Sequence, residues 1–334
     1  MTNYVILTGA NGYLGSYVAR ELLQRGHGVI ACKYPHYASV IISHELMEYV
    51  DIDITEPAEQ QLALKEAISG KIVIALVNAA ALLGSSDYEA NFKVNAQGVV
   101  NMIDFCRLHG IRRFIQISSV VVLKKIKGPY GITKLKGQEL LMESELDYSV
   151  FIPAMILGPE SLGLNRVLKN VFRFPLLVPL IGTGKETQHP IYVKDFARVI
   201  VDSIGSEKAK RKVYEIAGDT VISFRSFIRL ILKHYQKKRI FAFIPAFVAF
   251  MLGKFFQKVQ KVPMFTAEHV KGILQDSNLD TSAIKADLGF EPAPLETALN
   301  ESLDEIGTNW NYFLAARPEK TYIFDPGTNK FQLK

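Results

Sequence analysis

The sequence predicts an α/β chain: a doubly wound parallel sheet carrying a smaller C-terminal lobe. Three observations predict it. Short β-rich runs alternate with amphipathic helical stretches through the first ~160 residues, the pattern of repeated strand–helix–strand units. Glycines stand at positions 9, 12 and 15, directly behind the first run and ahead of the first helix. Beyond Pro159 the alternation loosens and Pro and Gly become more frequent.

The elements follow in order. Candidate strands cover residues 4–8, 28–32, 49–51, 72–78, 114–118 and 148–153, all rich in Val, Ile, Phe and Tyr. Helical spacing of apolar residues fills the gaps at 14–25, 57–67, 92–109 and 131–145. Later helices are expected at 193–203, 224–235 and 266–275. The period is that of a doubly wound fold, with no internal repeat or low-complexity tract.

Composition excludes several classes. A chain of 334 residues, 49% hydrophobic, can bury a large core and is not disordered. Cys32 and Cys106 lie far apart in apolar contexts without CxxC spacing or neighbouring histidines, so buried thiols and no metal site are expected. The first strand begins at Tyr4 with no targeting pattern ahead of it, which predicts a cytoplasmic protein. The longest apolar stretch, 240–253, is interrupted by Pro245 and falls short of the ~20 residues that span a bilayer. The formal charge is +6 and the pI about 9.0. The lysines read as spread along the chain, which argues against a nucleic-acid partner and suits a phosphate-bearing ligand equally well.

The glycine triplet lies in Thr8-Gly9-Ala10-Asn11-Gly12-Tyr13-Leu14-Gly15. Gly9 permits a tight turn, Gly12 lets the backbone approach a pyrophosphate, and Gly15 lets the helix lie close on the strand with its N–H groups aimed at the anion. Residues 1–160 are therefore read as a Rossmann-type NAD(P)-binding domain. Residues 161–310 form a smaller substrate-binding lobe interwoven with it, and 311–334 a C-terminal tail. At the end of the second strand stands Lys33, with no Asp or Glu nearby, which favours NADP over NAD because a cation accommodates a 2′-phosphate. Asp53 and Ile54, after the third strand, are placed either to receive the adenine amino group or to cap a helix.

A second constellation carries chemistry. Tyr130 and Lys134 are four apart and share one helix face, so an ammonium there can stabilise a phenolate. Ser118 and Ser119 end the fifth strand at the sheet edge where open α/β sheets place ligands, and a hydroxyl there can polarise a substrate oxygen. Asn95 is placed to anchor a water or a backbone carbonyl. Strand-end serines that satisfy turns and a packed tyrosine are the bland alternative.

With these residues in order, the chain resembles the extended short-chain dehydrogenase/reductase family, the NAD-dependent epimerase/dehydratase family. The resemblance rests on TGANGYLG at 8–15, DI at 53–54, VNAAA at 77–81, NAQG at 95–98, ISS at 117–119, YGITK at 130–134, GP at 158–159 and IYVKD at 191–195, and covers roughly residues 3–305. It implies that Tyr130 is the acid/base, that Lys134 lowers its pKa and holds the nicotinamide ribose, and that Ser119 orients the substrate oxygen. It implies cofactor contacts from Gly9, Asn11, Gly12, Tyr13, Leu14, Gly15, Lys33, Asp53, Ile54, Asn78, Ala79, Ala80, Ser118, Pro153 and Met155. A homodimer through the helices at 92–109 and 131–145 also resembles family practice.

Three departures are visible. Ile152-Pro153 replaces the usual Arg-Pro, only ten residues separate Ser119 from Tyr130, and Gln188 stands where sugar-nucleotide members carry a diphosphate-gripping arginine. Lys185 is a partial substitute. QHPIYVKD at 188–195 and VPMFTAEHVKGILQDSNLD at 262–280 resemble the subgroup that contains the accessory Rossmann subunit of respiratory complex I. The expectation is an NAD(P)-dependent oxidoreductase or epimerase that interconverts an alcohol and a ketone on a small molecule, a nucleotide sugar among the candidates. The alternative is a non-catalytic NADP(H)-binding module that stabilises a partner or senses redox state. A basic-flanked apolar helix over 240–251 is assigned first to packing of the small lobe, then to lining the substrate pocket, and last to a membrane surface.

Overall fold

Seven strands, β1 (Asn3–Thr8), β2 (Gly28–Lys33), β3 (Met47–Asp51), β4 (Ile72–Asn78), β5 (Arg113–Ile117), β6 (Asp147–Pro153) and β7 (Lys212–Ile216), form one sheet in a computed structural model of the chain. Residues 2–34, 40–259, 270, 272, 274–308 and 320–334 are described. The spatial order is β7-β6-β5-β4-β1-β2-β3 and every pairing is parallel. The order reverses between β1 and β4, which opens a crevice outside their C-terminal ends.

The sheet is buried on both faces, and β1 shows why its sequence is continuously apolar. Val5 and Leu7 join one core, with Tyr17, Val18 and Leu22 of α1 (Tyr13–Gln24). Ile6 points the other way, into a second core with Leu64 of α2 (Leu62–Ile68), Met102 and Phe105 of α3 (Gly98–Leu108), and Leu141 of α4 (Gly128–Met142). The first layer is completed by Phe196 and Ile200 of α5 (Val193–Ile204). Each fully buried Leu or Phe contributes roughly 1.5–3 kcal/mol, so the two layers supply the bulk of the folding drive. Cys32 and Cys106 are buried free thiols, and burial raises the pKa of both.

Beyond β6 the chain adds short pairings: Ile156–Leu157 with Ile191–Tyr192, Thr187–Gln188 with Ile222–Ser223, and Leu177–Ile181 with Ile240–Ile244. The apolar run from 240 is thus not one helix. Ile240–Ile244 is a strand, Pro245 breaks it, and the helix begins at Ala246 and runs to Val259. Residues 320–334 do not trail away: Lys320–Asp325 and Lys330–Leu333 form a hairpin whose first strand pairs in parallel with Val40–Ser43. The helix expected at 266–275 falls mostly outside the described residues. Among the described residues no helix is long and apolar enough to cross a membrane, and no three His, Cys, Asp or Glu side chains gather as metal ligands.

Candidate functional site

The crevice between β1 and β4 is floored by glycines that leave no room for a side chain. Gly9 has φ +67°, and a Cβ there would lie 2.9 Å from the Ala80 amide nitrogen. A Cβ on Gly12 would lie 3.0 Å from the Gly9 carbonyl oxygen, and one on Gly15 only 2.1 Å from it. The Gly12 amide donates to the Gly9 carbonyl at 2.9 Å, which closes the turn. Helix α1 then begins without a side-chain cap and without an acidic residue in its first turn, so its leading N–H groups remain for an anion. A bare backbone cradle is what a dinucleotide pyrophosphate requires, and the residues fit the cofactor.

Behind the cradle runs a buried polar chain that the sequence reading did not single out beyond Asn78. The Thr8 hydroxyl donates to Asn78 Oδ1 at 2.5 Å and accepts from the Ala80 amide at 3.3 Å. Asn78 Nδ2 donates to Gln116 Oε1 at 2.9 Å, and Gln116 Nε2 to the Ile117 carbonyl at 3.0 Å. These bonds tie the C-terminal ends of β1, β4 and β5 together, and the Ala79 amide adds a bond to the Thr8 carbonyl. Asn11 is buried. The ring of Tyr13 turns away from the turn to pack edge-on against Tyr17, 5.7 Å between centroids, and beside Gly158, so only its backbone belongs to the cradle. Leu14 packs against the core.

At the ribose end, Lys33 is not a free cation. Its Nζ lies 2.6 Å from Asp51 Oδ1, the residue opposite it on β3. Asp53 Oδ1 accepts from the amide and hydroxyl of Thr55 at 2.9 and 2.8 Å, a local turn of the capping kind. Ile54 is a core residue whose carbonyl accepts from Asn101 Nδ2 at 2.9 Å.

Ser119, Tyr130 and Lys134 converge at the end of β5. The Tyr130 hydroxyl lies beside Ser119, whose Oγ accepts from the Val121 amide at 3.4 Å. Lys134 is 4% exposed, and its ammonium donates to the Ile117 carbonyl at 2.5 Å. The expected lowering of the Tyr130 pKa is not what the chain alone produces. Burial pushes Tyr130 up to about 12, opposed only by the neighbouring Ser119 side chain, and burial pulls Lys134 down to about 8. The reason is geometric: the Lys134 ammonium is spent on the Ile117 carbonyl, and among the described residues no carboxylate acts on it.

Neighbouring residues hold this arrangement rather than join it. Asn95 sits in a π-helical turn, Lys93–Gln97, and grips both backbone groups of Leu82: Oδ1 accepts from its amide at 3.1 Å and Nδ2 donates to its carbonyl at 3.4 Å. Asn95 Nδ2 also reaches Thr133 Oγ1 at 3.3 Å. Helix α4 approaches that turn so closely that a Cβ on Gly137 would lie 2.1 Å from the Asn95 carbonyl oxygen. Ser118 is directed away from the site, donating to Gln138 Oε1 at 2.9 Å. Pro153 ends β6 opposite Ile216, and the Met155 carbonyl accepts from the Ile191 amide at 2.9 Å.

The lobe over the site is tethered to the loop between Ser119 and Tyr130. Lys124 Nζ donates to the Gln275 carbonyl at 3.0 Å and to Ser277 Oγ at 2.6 Å, and Gln275 exchanges bonds with both backbone groups of Ile126. In the 188–195 segment the side chains serve the fold. His189 bridges the Gly218 carbonyl and the Leu279 amide, and Asp195 accepts from the Ala293 amide at 2.8 Å and from Arg198 at 2.9 Å. Gln188 is half-buried in its short strand and Lys185 is exposed.

Comparison with known proteins agrees with this architecture. Residues 5–217 match the model of the NAD dependent epimerase/dehydratase family. Among curated relatives, the mouse NADH dehydrogenase [ubiquinone] 1 alpha subcomplex subunit 9, mitochondrial, is 25% identical over 295 residues, covering 86% of this chain and 76% of that protein. The 3beta-hydroxysteroid-dehydrogenase/decarboxylase isoform 2 of Arabidopsis thaliana is 26% identical over 257 residues, 66% of this chain and 46% of the relative. In fold, the chain is similar to a UDP-glucuronic acid 4-epimerase from Bacillus cereus solved with NAD, with a TM-score of 0.71, 16% identity, and 91% and 98% of the two chains covered. It is likewise similar to the UDP-glucose 4-epimerase of Thermotoga maritima, with a TM-score of 0.69, 19% identity, and 90% and 97% covered. Sequence motifs, parallel sheet and glycine cradle agree, and the chain belongs to the NAD-dependent epimerase/dehydratase family.

Proposed function

We propose that this chain is an NAD(P)-dependent oxidoreductase or epimerase that interconverts an alcohol and a ketone, with Tyr130 exchanging the substrate hydroxyl proton. The observation that carries the reading is the Ser119–Tyr130 hydroxyl pair, with Lys134 beneath it, at the same sheet edge as the dinucleotide cradle. A phenol held protonated at neutral pH is poised to give its proton to a carbonyl oxygen as that oxygen gains electrons, and Ser119 steadies the same oxygen. Lys134 supplies the positive charge that balances the oxyanion and a donor for the ribose. The bound nicotinamide supplies the hydride at its C4.

We propose further that NADP is preferred. The Lys33–Asp51 pair is partly exposed, and such pairs are worth about 0–1 kcal/mol, so a 2′-phosphate competes effectively for the ammonium. Lys33→Ala then weakens NADPH binding while leaving NADH binding nearly unchanged, and equal losses for both refute the assignment. Homodimerisation across α3 and α4 is supported by exposed Leu108, Ile132 and Met142 on those helices. Light scattering on the purified chain that gives a monomer mass at all concentrations removes that proposal.

The experiment for the main reading is a titration of NADPH and NADH, followed by cofactor oxidation with a panel of ketones, sterols and nucleotide sugars. Binding with turnover of any member is expected. A second reading, a nucleotide-binding module without turnover, is favoured by one feature: Lys134 is bonded to the Ile117 carbonyl rather than to the phenol. Tight binding with no turnover across the panel, and no epimerisation of the sugars, selects that reading.

A further inference from the structure

The segment 220–267 carries nine Lys and Arg and no Asp or Glu, while the whole chain has a formal charge of only +6. Read along the sequence, the lysines look dispersed. In the fold, Lys237, Lys238 and Lys254 are exposed on the strand–helix segment that carries one apolar face. Strand Ile240–Ile244 pairs in register with Leu177–Ile181, Ile240 opposite Leu177, and Leu176, Leu177, Ile240 and Phe243 are all exposed. The helix that follows has its amphipathicity inverted. Its inward face is small, with Ala249 fully buried and Gly253 buried, whereas Phe247 is 73% exposed and Met251, one turn on, 58%. Val259 continues the stripe. A helix docked only on its own lobe turns its large side chains inward and its small or polar ones out. This one does the reverse, which makes lobe packing and pocket lining poor accounts of Phe247 and Met251, and contiguous exposed apolar surface marks an interaction site.

We propose that this face, from Leu176 through Ile240–Ile244 to the helix Ala246–Val259, rests on the surface of an anionic lipid bilayer. Charge decides for a lipid surface. Lys237, Lys238 and Lys254 are exposed, and Lys254 lies 4.8 Å over the Phe250 ring, the arrangement in which a basic side chain reaches headgroups while the aromatic enters the acyl boundary. Lys233 instead pairs with Glu296 at 3.5 Å. Over its described residues, Ala246–Val259, the helix is too short to span, which suits a position in the plane of the interface.

The test is sedimentation of the full chain with vesicles of phosphatidylcholine alone or doped with phosphatidylserine, at low and high salt. Binding is expected to the anionic vesicles only, reversed by salt. Replacing Lys237, Lys238 and Lys254 together by Gln weakens it about a hundredfold, from the attraction that each basic residue contributes near such a surface. Phe247→Glu with Met251→Glu abolishes it, and because both side chains already face solvent the unfolding midpoint stays in place. Absence of binding, equal binding to both vesicles, or binding indifferent to the three lysines overturns the proposal. So does a concentration-dependent doubling of mass that Phe247→Glu removes without any vesicle binding, which assigns the face to a second copy of the chain.

Discussion

Gly15→Ala is the substitution on which the cradle account commits itself most. The added methyl meets the Gly9 carbonyl oxygen at 2.1 Å and the carbonyl carbon at 2.8 Å, both backbone atoms, with no flexible side chain to give way. To reach even the 3.0 Å that tight contacts tolerate, α1 or the Gly9 turn must retreat by about 1 Å, a displacement of the kind that costs roughly 1–3 kcal/mol in packed interiors. The retreat pulls the leading N–H groups of α1 from the pyrophosphate position, so dinucleotide affinity falls together with stability. Gly205→Ala is the matched control. Gly205 follows α5 with φ −90°, nothing lies within 4 Å of its Cβ position, and the same methyl there stabilises by about 0.4–1 kcal/mol through the unfolded chain. Urea unfolding and an NADH titration on both variants read the result. If Gly15→Ala unfolds at the wild-type midpoint and binds dinucleotide with wild-type affinity, α1 does not lie where the account places it.

Two further expectations follow from the other side of the site. Gly137→Ala drives a methyl to 2.1 Å from the Asn95 carbonyl oxygen and displaces α4, which carries Tyr130 and Lys134; steady-state kinetics should show a fall in kcat of about tenfold or more for a misplacement near 1 Å, with cofactor affinity retained. For pH, the folded pKa of Lys134 lies below its ordinary value, at about 8, so the ammonium is present below that pH and lost above it, while Tyr130 stays protonated to about 12. Ketone reduction is therefore flat near neutrality and declines through pH 8, and a pH–kcat/KM profile for Lys134→Met lacks that inflection.

How much of this was legible in the sequence depends on how local each signal is. The glycine triplet, the two serines and the Tyr130–Lys134 spacing are read within a few residues, and the structure brings them to one sheet edge. Six of the seven sheet strands were marked by β-rich runs, but β7 was not, because Lys212–Ile216 is short and half polar. A short apolar run such as Ile240–Ile244 has no decisive period, so the sequence predicts helix where the chain forms a strand. Pairing of Lys320–Asp325 with Val40–Ser43 joins segments some 280 residues apart, and no local pattern announces it. At the site, the same limit hid the Lys33–Asp51 pair, the burial that raises Tyr130 and the tether from Lys124 to Ser277, each a contact between elements distant in sequence.

Whether Tyr130 moves the proton in a nicotinamide-dependent reaction is read from the turnover of Tyr130→Phe, measured alongside its cofactor affinity. Removing one hydroxyl leaves the ring, the helix and the glycine cradle in place, so the account predicts NADPH binding within a factor of about two and a loss of general acid–base catalysis of order 10²–10⁴ in kcat. Turnover at the wild-type rate with wild-type binding contradicts it.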